Sequence, residues 1–452
     1  MSSLRHVLVA GIAAAVTFTA CGDDPVSPGN PTPAVSAYDA DVAVQWFDLY
    51  MDLTQATPGY TPPVASRTFG YAGVALYEAL RPGMTGYVTL AGQVNALTAV
   101  PHPEFGDRYH WPTVANAALA SLARLYHPGT SQDNRNAIDQ LEGEILAGFT
   151  GTVDAEILDR SASRGLSVAN HIYAWSVSDR GHEGWARNFP GDFVPPVGEG
   201  LWVPTPRTGG DPQPALQPYW GGCRPFTLPP GDPNAACDPG SPPAFSTEPG
   251  SAFHTEAFEV YQAVENLTQE QLDIALFWAD DPGATATPPG HTISIVNQVL
   301  LLEDAGLDVA AEAYARVGMA VADAFIACWE SKYRYNLVRP VTYIREVWDA
   351  DWLPPVNTPP FPEYTSGHSV QSGAGFQVLS ELFGADYVFT DHTHDGRGLA
   401  PRTFSSFEEA AEEAAISRLY GGIHFRAAID LGVDQGRCVA ARVMQIQMRA
   451  AS

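Results

Sequence analysis

The stretch VAAEAYARVGMAVADAFIACWESKY, residues 309–333, keeps a three- and four-residue apolar rhythm with no proline to interrupt it. That rhythm brings apolar side chains to a helix face, whereas a strand alternates with period two. The same spacing recurs in DVAVQWFDLYMDLT, ASRTFGYAGVALYEAL, VANAALASLARLY and QDNRNAIDQLEGEILAGF. After residue 250 it returns in QEQLDIALFWADD, HTISIVNQVLLLEDAGL, GHSVQSGAGFQVLSELFG, SFEEAAEEAAISRLY and AIDLGVDQGRCVAARVMQIQMRA. Between them, residues 181–250 lose all periodicity and fill with glycine and proline, as a long connection does when it covers something. No fixed-period repeat is present. With 45% hydrophobic residues over 452 positions, the chain can bury a large core or two smaller ones. The expected fold class is all-α, with two helical bundles packed as one unit.

The first residues read differently. Arg5 and His6 precede an apolar run, Val7 to Phe18, too short to span a bilayer as a mature helix. FTAC then places Cys21 behind small residues, which resembles the lipobox of bacterial lipoproteins. The expected organisation is a signal peptide over 1–20, lipidation of Cys21, a proline-rich tether over 21–36, and a helical domain over 37–452. Such a protein is exported to the periplasmic or cell-surface face of a membrane, held only through its N-terminal lipid; a plain secretory signal is the alternative. Export permits disulfides. Cys223 and Cys237 flank the loop CRPFTLPPGDPNAAC and are the expected staple. Cys328 and Cys438 lie in helical patterns and are expected as buried thiols or as a second pair.

A formal charge of −27, from 51 acidic and 24 basic residues, argues against nucleic acid and anionic membrane surfaces as partners. Against that background KYRYNLVRP clusters Lys332, Arg334 and Arg339. If the helix through Trp329 continues, Lys332 and Arg339 return to one face after two turns and meet one anion, with Pro340 ending or kinking the element. Arg334 and Tyr335 project to other faces, for packing or surface pairs.

Two further stretches suit the same anion. PFPEYTSGHSV sets Ser366, Gly367 and His368 before an apolar helix, where a capping serine, a close backbone approach and free N–H groups make an anion cradle. SSFEEAAEEAAISRLYGGIHF opens on a capping box, carries Ser417 and Arg418 near its end, breaks at Gly421-Gly422 and presents His424. His291, His392 and His394 look metal-like but lack a third ligand at regular spacing, and are expected to be structural or on the surface.

The order K-x6-R-P (Lys332 to Pro340), S-G-H (Ser366 to His368) and S-R-x5-H (Ser417 to His424) resembles the three-part signature of vanadium-dependent haloperoxidases and type 2 phosphatidic-acid-phosphatase-like enzymes. GLWVPTPRTG, YWGGCRPF, ALFWADD, PPGH and PPFPEY look like the bacterial haloperoxidase branch, so the likeness runs from about residue 40 to the end of the chain. It implies two four-helix-bundle-like halves, with the site on about 255–452. It also implies a vanadate whose oxygens are held by Lys332, Arg339, Arg418, Ser366 and the Gly367 N–H, with His424 as its axial ligand; phosphate is the alternative occupant. Lys332 then polarises hydrogen peroxide and His368 shuttles protons as halide is oxidised and passed to a small organic acceptor. Trp329 and Phe361 match positions beside peroxide and halide. Asp281, with Asp280 as alternative, matches an acid that orients the arginines. A homodimer follows by the same analogy.

One departure stands out. The family pattern continues H-x3-D, but Ala428 occupies that position, and Asp430 or a backbone carbonyl is the expected substitute. Because a phosphotransfer nucleophile needs its orienting carboxylate more than an axial ligand does, haloperoxidase is the leading expectation. An acid phosphatase working through a phosphohistidine at His424 is second, and a non-catalytic oxyanion-binding lipoprotein third.

Overall fold

Each periodic segment becomes a helix, and several helix starts are marked by their own residues. Ser131, Ser251, Thr268, Ser366 and Ser406 accept hydrogen bonds from first-turn N–H groups, and Thr268 with Gln271 completes a capping box. The computed structural model describes residues 33–104, 106–205 and 211–450. The expected signal peptide, Cys21 and most of the tether lie outside them.

In the first half run α1 (Asp41–Ala56), α2 (Pro62–Leu80), α3 (Trp111–Tyr126), α4 (Gln132–Phe149) and α5 (Ala155–Ser176). The second half holds α6 (Ala252–Glu265), α7 (Gln269–Phe277), α8 (Thr287–Leu302), α9 (Leu307–Tyr335), α10 (Pro340–Val347), α11 (Gly367–Phe383), α12 (Phe407–Tyr420) and α13 (Arg426–Met444). A small antiparallel hairpin, β1 (Phe389–Asp391) with β2 (Arg402–Phe404), joins α11 to α12. Helix α9 is the shared spine: α2 lies along one side of it and α11 and α13 along the other. One apolar core therefore runs from Val35 to Met448 through both halves, with a smaller cluster around Phe253, Tyr343 and Phe425.

Glycine sets the closest contacts. A Cβ on Gly73 of α2 would fall 2.3 Å from the Tyr314 carbonyl of α9, and one on Gly436 of α13 would fall 2.2 Å from that of Val370 on α11. Only glycine lets these backbones touch.

Between α5 and α6 the described residues form no α-helix, only short 3-10 turns. This connection is pinned to α9 by polar groups. Buried Asp323 accepts from the N–H groups of Phe226 (2.6 Å), Thr227 (2.7 Å) and Leu228 (3.3 Å) and from Thr227 Oγ1 (2.8 Å). Asn234 Nδ2 donates to Ser331 Oγ at 2.8 Å.

Three expectations are corrected here. The disulfide is Cys237–Cys438, not Cys223–Cys237, while Cys223 and Cys328 are free, buried thiols. The loop is stretched along α9 by Asp323 and Asn234, so Cys237 meets α13 while Cys223 is buried beside Arg67 and Asp179. Helix α9 does not continue to Arg339: it stops at Asn336, which is left-handed (φ 48°) and returns its N–H to the Lys332 carbonyl. Pro340 opens α10 rather than ending an element. Finally, Pro33 to Ser36 belong to the packed body, since Val35 is fully buried and Trp111 Nε1 donates to the Pro33 carbonyl.

The Cys237–Cys438 bridge spans 201 positions, so Cys438→Ser is expected to cost about 2–4 kcal/mol in guanidinium unfolding. Peptide mapping under non-reducing conditions should show this pair linked and Cys223 and Cys328 alkylated.

Candidate active site

Lys332 stands in the last turn of α9, fully buried. Its Nζ donates to the carbonyls of Pro362 (3.1 Å), Glu363 (3.0 Å) and Thr365 (2.5 Å) and lies 4.9 Å from the Phe361 ring centre. Burial pushes the ammonium down to about 7. Arg339 arrives from the other side of the Asn336 break, also fully buried, with its guanidinium 4.9 Å from the same ring. Its Nε donates to the Phe361 carbonyl (2.9 Å) and NH1 to that of Ile423 (2.8 Å), while NH2 has no partner. Burial lowers it to about 10. The two cations thus meet through the PFPEYT segment and not through helical spacing.

Ser366 caps α11, accepting from Ser369 N–H, and Gly367 and His368 are its first residues. A Cβ on Gly367 would point toward Trp329 and Phe325, at 3.7 and 3.9 Å, so glycine keeps that space clear. The ring of His368 faces the Trp278 backbone and leaves buried Nε2 without a partner. Burial and the Arg418 charge hold His368 well below its ordinary value, hence neutral.

Arg418, near the end of α12, donates from NH2 to the Ala275 carbonyl (3.0 Å) and from Nε to Ser417 Oγ (2.9 Å). Burial lowers it to about 10, against the pull of Asp280 and Asp281. Past Gly421 and Gly422 (φ +70°) comes His424. Its Nδ1 donates to Glu363 Oε1 at 2.8 Å, and its Nε2 accepts from Arg339 NH1 at 3.2 Å. Burial, with Arg339 and Lys332 beside it, keeps this imidazole neutral.

Glu363 is the residue that sequence reasoning missed. The same Oε1 also accepts from Phe425 N–H at 2.9 Å, so one carboxyl oxygen fixes the tautomer and the orientation of His424. Burial pushes this carboxyl up to about 8, opposed by Arg339 and Lys332. The expected substitutes for the absent aspartate do other work. Asp430 faces Arg426 at 3.8 Å, and the Ala428 carbonyl accepts from Ser366 N–H at 2.9 Å. A signal was present in the sequence: Glu363 is the lone formal charge between Asp351 and Glu381.

Trp329 and Phe361, with ring centres 4.9 Å apart, line a cavity of about 230 Å³ whose floor carries His368, Arg418 and His424. Phe189, Gln213 and Leu216 supply its outer wall, so the aperiodic connection does cover something. Asp281 is exposed on the rim, and the alternative, Asp280, is the buried acid. Arg334 pairs with Glu330 (2.7 Å) at the surface, and His392 with Asp395 (2.9 Å). His291 and His394 are buried, and Asp280 is the third group that sequence spacing did not reveal.

Lys332, Arg339 and Arg418 thus converge on buried His424, with Glu363 the carboxylate acting on the first two and Asp280 and Asp281 those acting on the third. Unpartnered Arg339 NH2 and His368 Nε2, with Gly367 as the first residue of α11, fit a tetrahedral oxyanion. All-α architecture with this cradle defines a histidine-centred oxyanion enzyme.

Comparison with known proteins narrows the class. Residues 312–452 match the family described as the VCPO second helical-bundle domain. The crystal structure of the first bacterial vanadium-dependent iodoperoxidase superposes with a TM-score of 0.81 at 36% identity, covering 94% of this chain and 99% of that one. Vanadium chloroperoxidase of Curvularia inaequalis is 25% identical over 500 residues, 86% of this chain and 79% of that protein. The holo form of a bacterial vanadium-dependent chloroperoxidase, at 19% identity and a TM-score of 0.65 over 87% of this chain and 94% of that one, shares the fold. The chain belongs to the vanadium-dependent haloperoxidase family and is an enzyme of that kind. Vanadate is the cofactor the family implies, and the cradle fits it.

Because Lys332 titrates near 7, the cation is complete below that pH and lost above it, and ionisation of Glu363 near 8 adds an opposing charge. Calorimetric affinity for tungstate, whose charge is constant, should therefore fall between pH 6.5 and 9. In the same titrations Glu363→Ala should weaken binding about 10- to 100-fold at pH 6.5, through loss of His424 orientation.

Proposed function

We propose that this protein is an exported haloperoxidase that oxidises halide with hydrogen peroxide. The observation that carries the reading is the meeting of three buried cations around a neutral His424, which lines the floor of one apolar-walled cavity with Arg418 and a neutral His368. Bound vanadate supplies a Lewis acid that activates hydrogen peroxide toward halide attack. Arg339, Arg418, Ser366 Oγ and the Gly367 N–H would hold its oxygens, Lys332 would add its positive charge while its three N–H groups stay on carbonyls, and His424 Nε2 would be the protein ligand because Glu363 occupies Nδ1. Lys332 also offers a positive charge beside Phe361, where peroxide and halide enter. With its ring against the Trp278 backbone, His368 holds or gives up a proton at Nε2, as a general acid and base must. Trp329 and Phe361 keep bulk water from that spot.

Ala428 no longer argues against phosphotransfer, since Glu363 orients His424. The preference for peroxidase chemistry rests instead on Trp329, Phe361 and the relatives, an iodoperoxidase and a chloroperoxidase. Iodide and bromide are the first halides to assay.

Metal-stripped protein given peroxide, bromide or iodide and a cyclic diketone should halogenate only after orthovanadate is added, with p-nitrophenyl phosphate hydrolysis absent or blocked by vanadate. Halogenation without vanadate, or phosphate release with no halogenation after vanadate is added, defeats the reading. His368→Ala should lose about 100-fold or more in turnover while retaining vanadate.

Lipidation at Cys21 and export are part of the same proposal. They are supported by Arg5 to Cys21 in the sequence and by the Cys237–Cys438 disulfide, which suits an oxidising compartment. No described helix is long and apolar enough to cross a membrane. Mass spectrometry of the membrane fraction should find Cys21 acylated at a new N-terminus, and Cys21→Ser should abolish that species.

A further inference from the structure

Extending away from the cavity, and sharing Asp280 with its lining, lies a second buried array. His291 of α8, 2% exposed, is gripped at both ring nitrogens: Nδ1 meets Asp280 Oδ2 and Nε2 meets Asp391 Oδ2, each at 2.7 Å. Two carboxylates on opposite ring nitrogens require an imidazolium. Burial lowers its pKa, but Asp280 and Asp391 outweigh it and raise it to about 10. Asp280, His291 and His394 lie close enough to suit a metal ion, yet with both His291 nitrogens donating to carboxylates no lone pair is left for one. The array is a charged clamp.

The clamp grips the turn that ends α7. Asp280 belongs to that turn and is left-handed there (φ 47°), a conformation aspartate tolerates better than most residues. The His291 ring stacks on Trp278, with centres 4.5 Å apart and planes 17° apart, and His394 Nε2 faces Asp280 Oδ1 at 3.2 Å. Asp391 ties the clamp to the hairpin and accepts from Thr393 N–H at 2.9 Å. On its other side the same turn serves the cradle: the Ala275 carbonyl receives Arg418 NH2 and the Trp278 backbone faces the His368 ring. Trp278 Nε1 also donates to Glu413 of α12, five positions before Arg418, at 3.0 Å.

We infer that His291 is a positioning residue of this enzyme: clamped between Asp280 and Asp391 and stacked on Trp278, it holds the α7 turn whose backbone sets Arg418 and His368 in the oxyanion cradle. It touches neither cofactor nor substrate and acts through that turn. A shift of the turn by a fraction of an ångström would loosen one oxyanion ligand and misaim the proton-transfer group together.

The inference rests on the haloperoxidase reading only for its turnover arm; the binding arm needs the cradle alone. The test compares wild type with His291→Phe, which keeps the stacked ring and loses both hydrogen bonds, and with Asp391→Asn, which is remote from the cavity and weakens the clamp. Orthovanadate affinity of the metal-stripped protein is measured by calorimetry, and kcat is expressed per bound vanadate, with melting temperatures recorded alongside. The inference expects affinity to fall about fivefold or more and kcat per loaded site about tenfold, with KM for peroxide within twofold, in both variants. Unchanged affinity and unchanged kcat per loaded site, whatever happens to the melting temperature, would make His291 a merely structural residue and overturn it. Should His291→Phe not fold, Asp391→Asn decides by the same criteria. An inactive wild type that binds vanadate normally counts against the haloperoxidase reading, while the affinity arm still judges the clamp.

Discussion

Burying Lys332, Arg339 and Arg418 together is the constraint on which the rest of this structure depends. Each loses its hydration on burial, at a cost of several kcal/mol when nothing compensates. Compensation comes mainly from backbone carbonyls. Those of Phe361, Pro362, Glu363 and Thr365 lie on one extended segment, and those of Ile423 and Ala275 lie on the approaches to His424 and on α7. Carbonyl dipoles satisfy the donors without neutralising the charge, so the cradle keeps a net attraction for an oxyanion inside a chain of formal charge −27. A carboxylate at each cation would have cancelled that attraction.

Much of the fold can be understood as holding those carbonyls still. Helix α9 carries Lys332, and the glycine contacts at Gly73 and Gly318 draw α2 against it. Asp323 and Asn234 fasten the aperiodic connection to the same helix, and Gln435 of α13 bonds both Asn234 and Thr365, the residue before the capping serine. The disulfide closes this network from outside. Stabilising the loop and positioning Ser366 are therefore parts of one arrangement, because Thr365 lies between Lys332 and the start of α11.

Two carboxylates deserve contrast. Glu363 has two hydrogen-bond donors and two cations near it and decides which nitrogen of His424 faces the oxyanion. Asp280 has two histidines and decides where the α7 turn rests. The first acts on a group in the cradle, the second on the scaffold behind it. Both work because low dielectric surroundings strengthen interactions that water would weaken.

How far all this could be read from the sequence depends on the range of the interaction. Helices were legible because apolar period, capping serines and terminal glycines act within a few residues, and the three motifs named Lys332, Arg339, Ser366, Gly367, His368, Arg418 and His424 as one constellation. Their convergence in space, the orienting role of Glu363, the Cys237–Cys438 pairing and the partners of His291 were not legible. Lys332 and Arg339 illustrate the difference: a seven-residue spacing suggested one helix face, but Asn336 turns the chain and the two meet across Phe361. By itself the sequence determined the all-α class and the chemical inventory of the site, since both follow from local pattern and residue type. Only the tertiary structure decided which carboxylate serves His424 and which cysteine Cys237 meets, because such choices depend on contacts between segments tens to hundreds of residues apart.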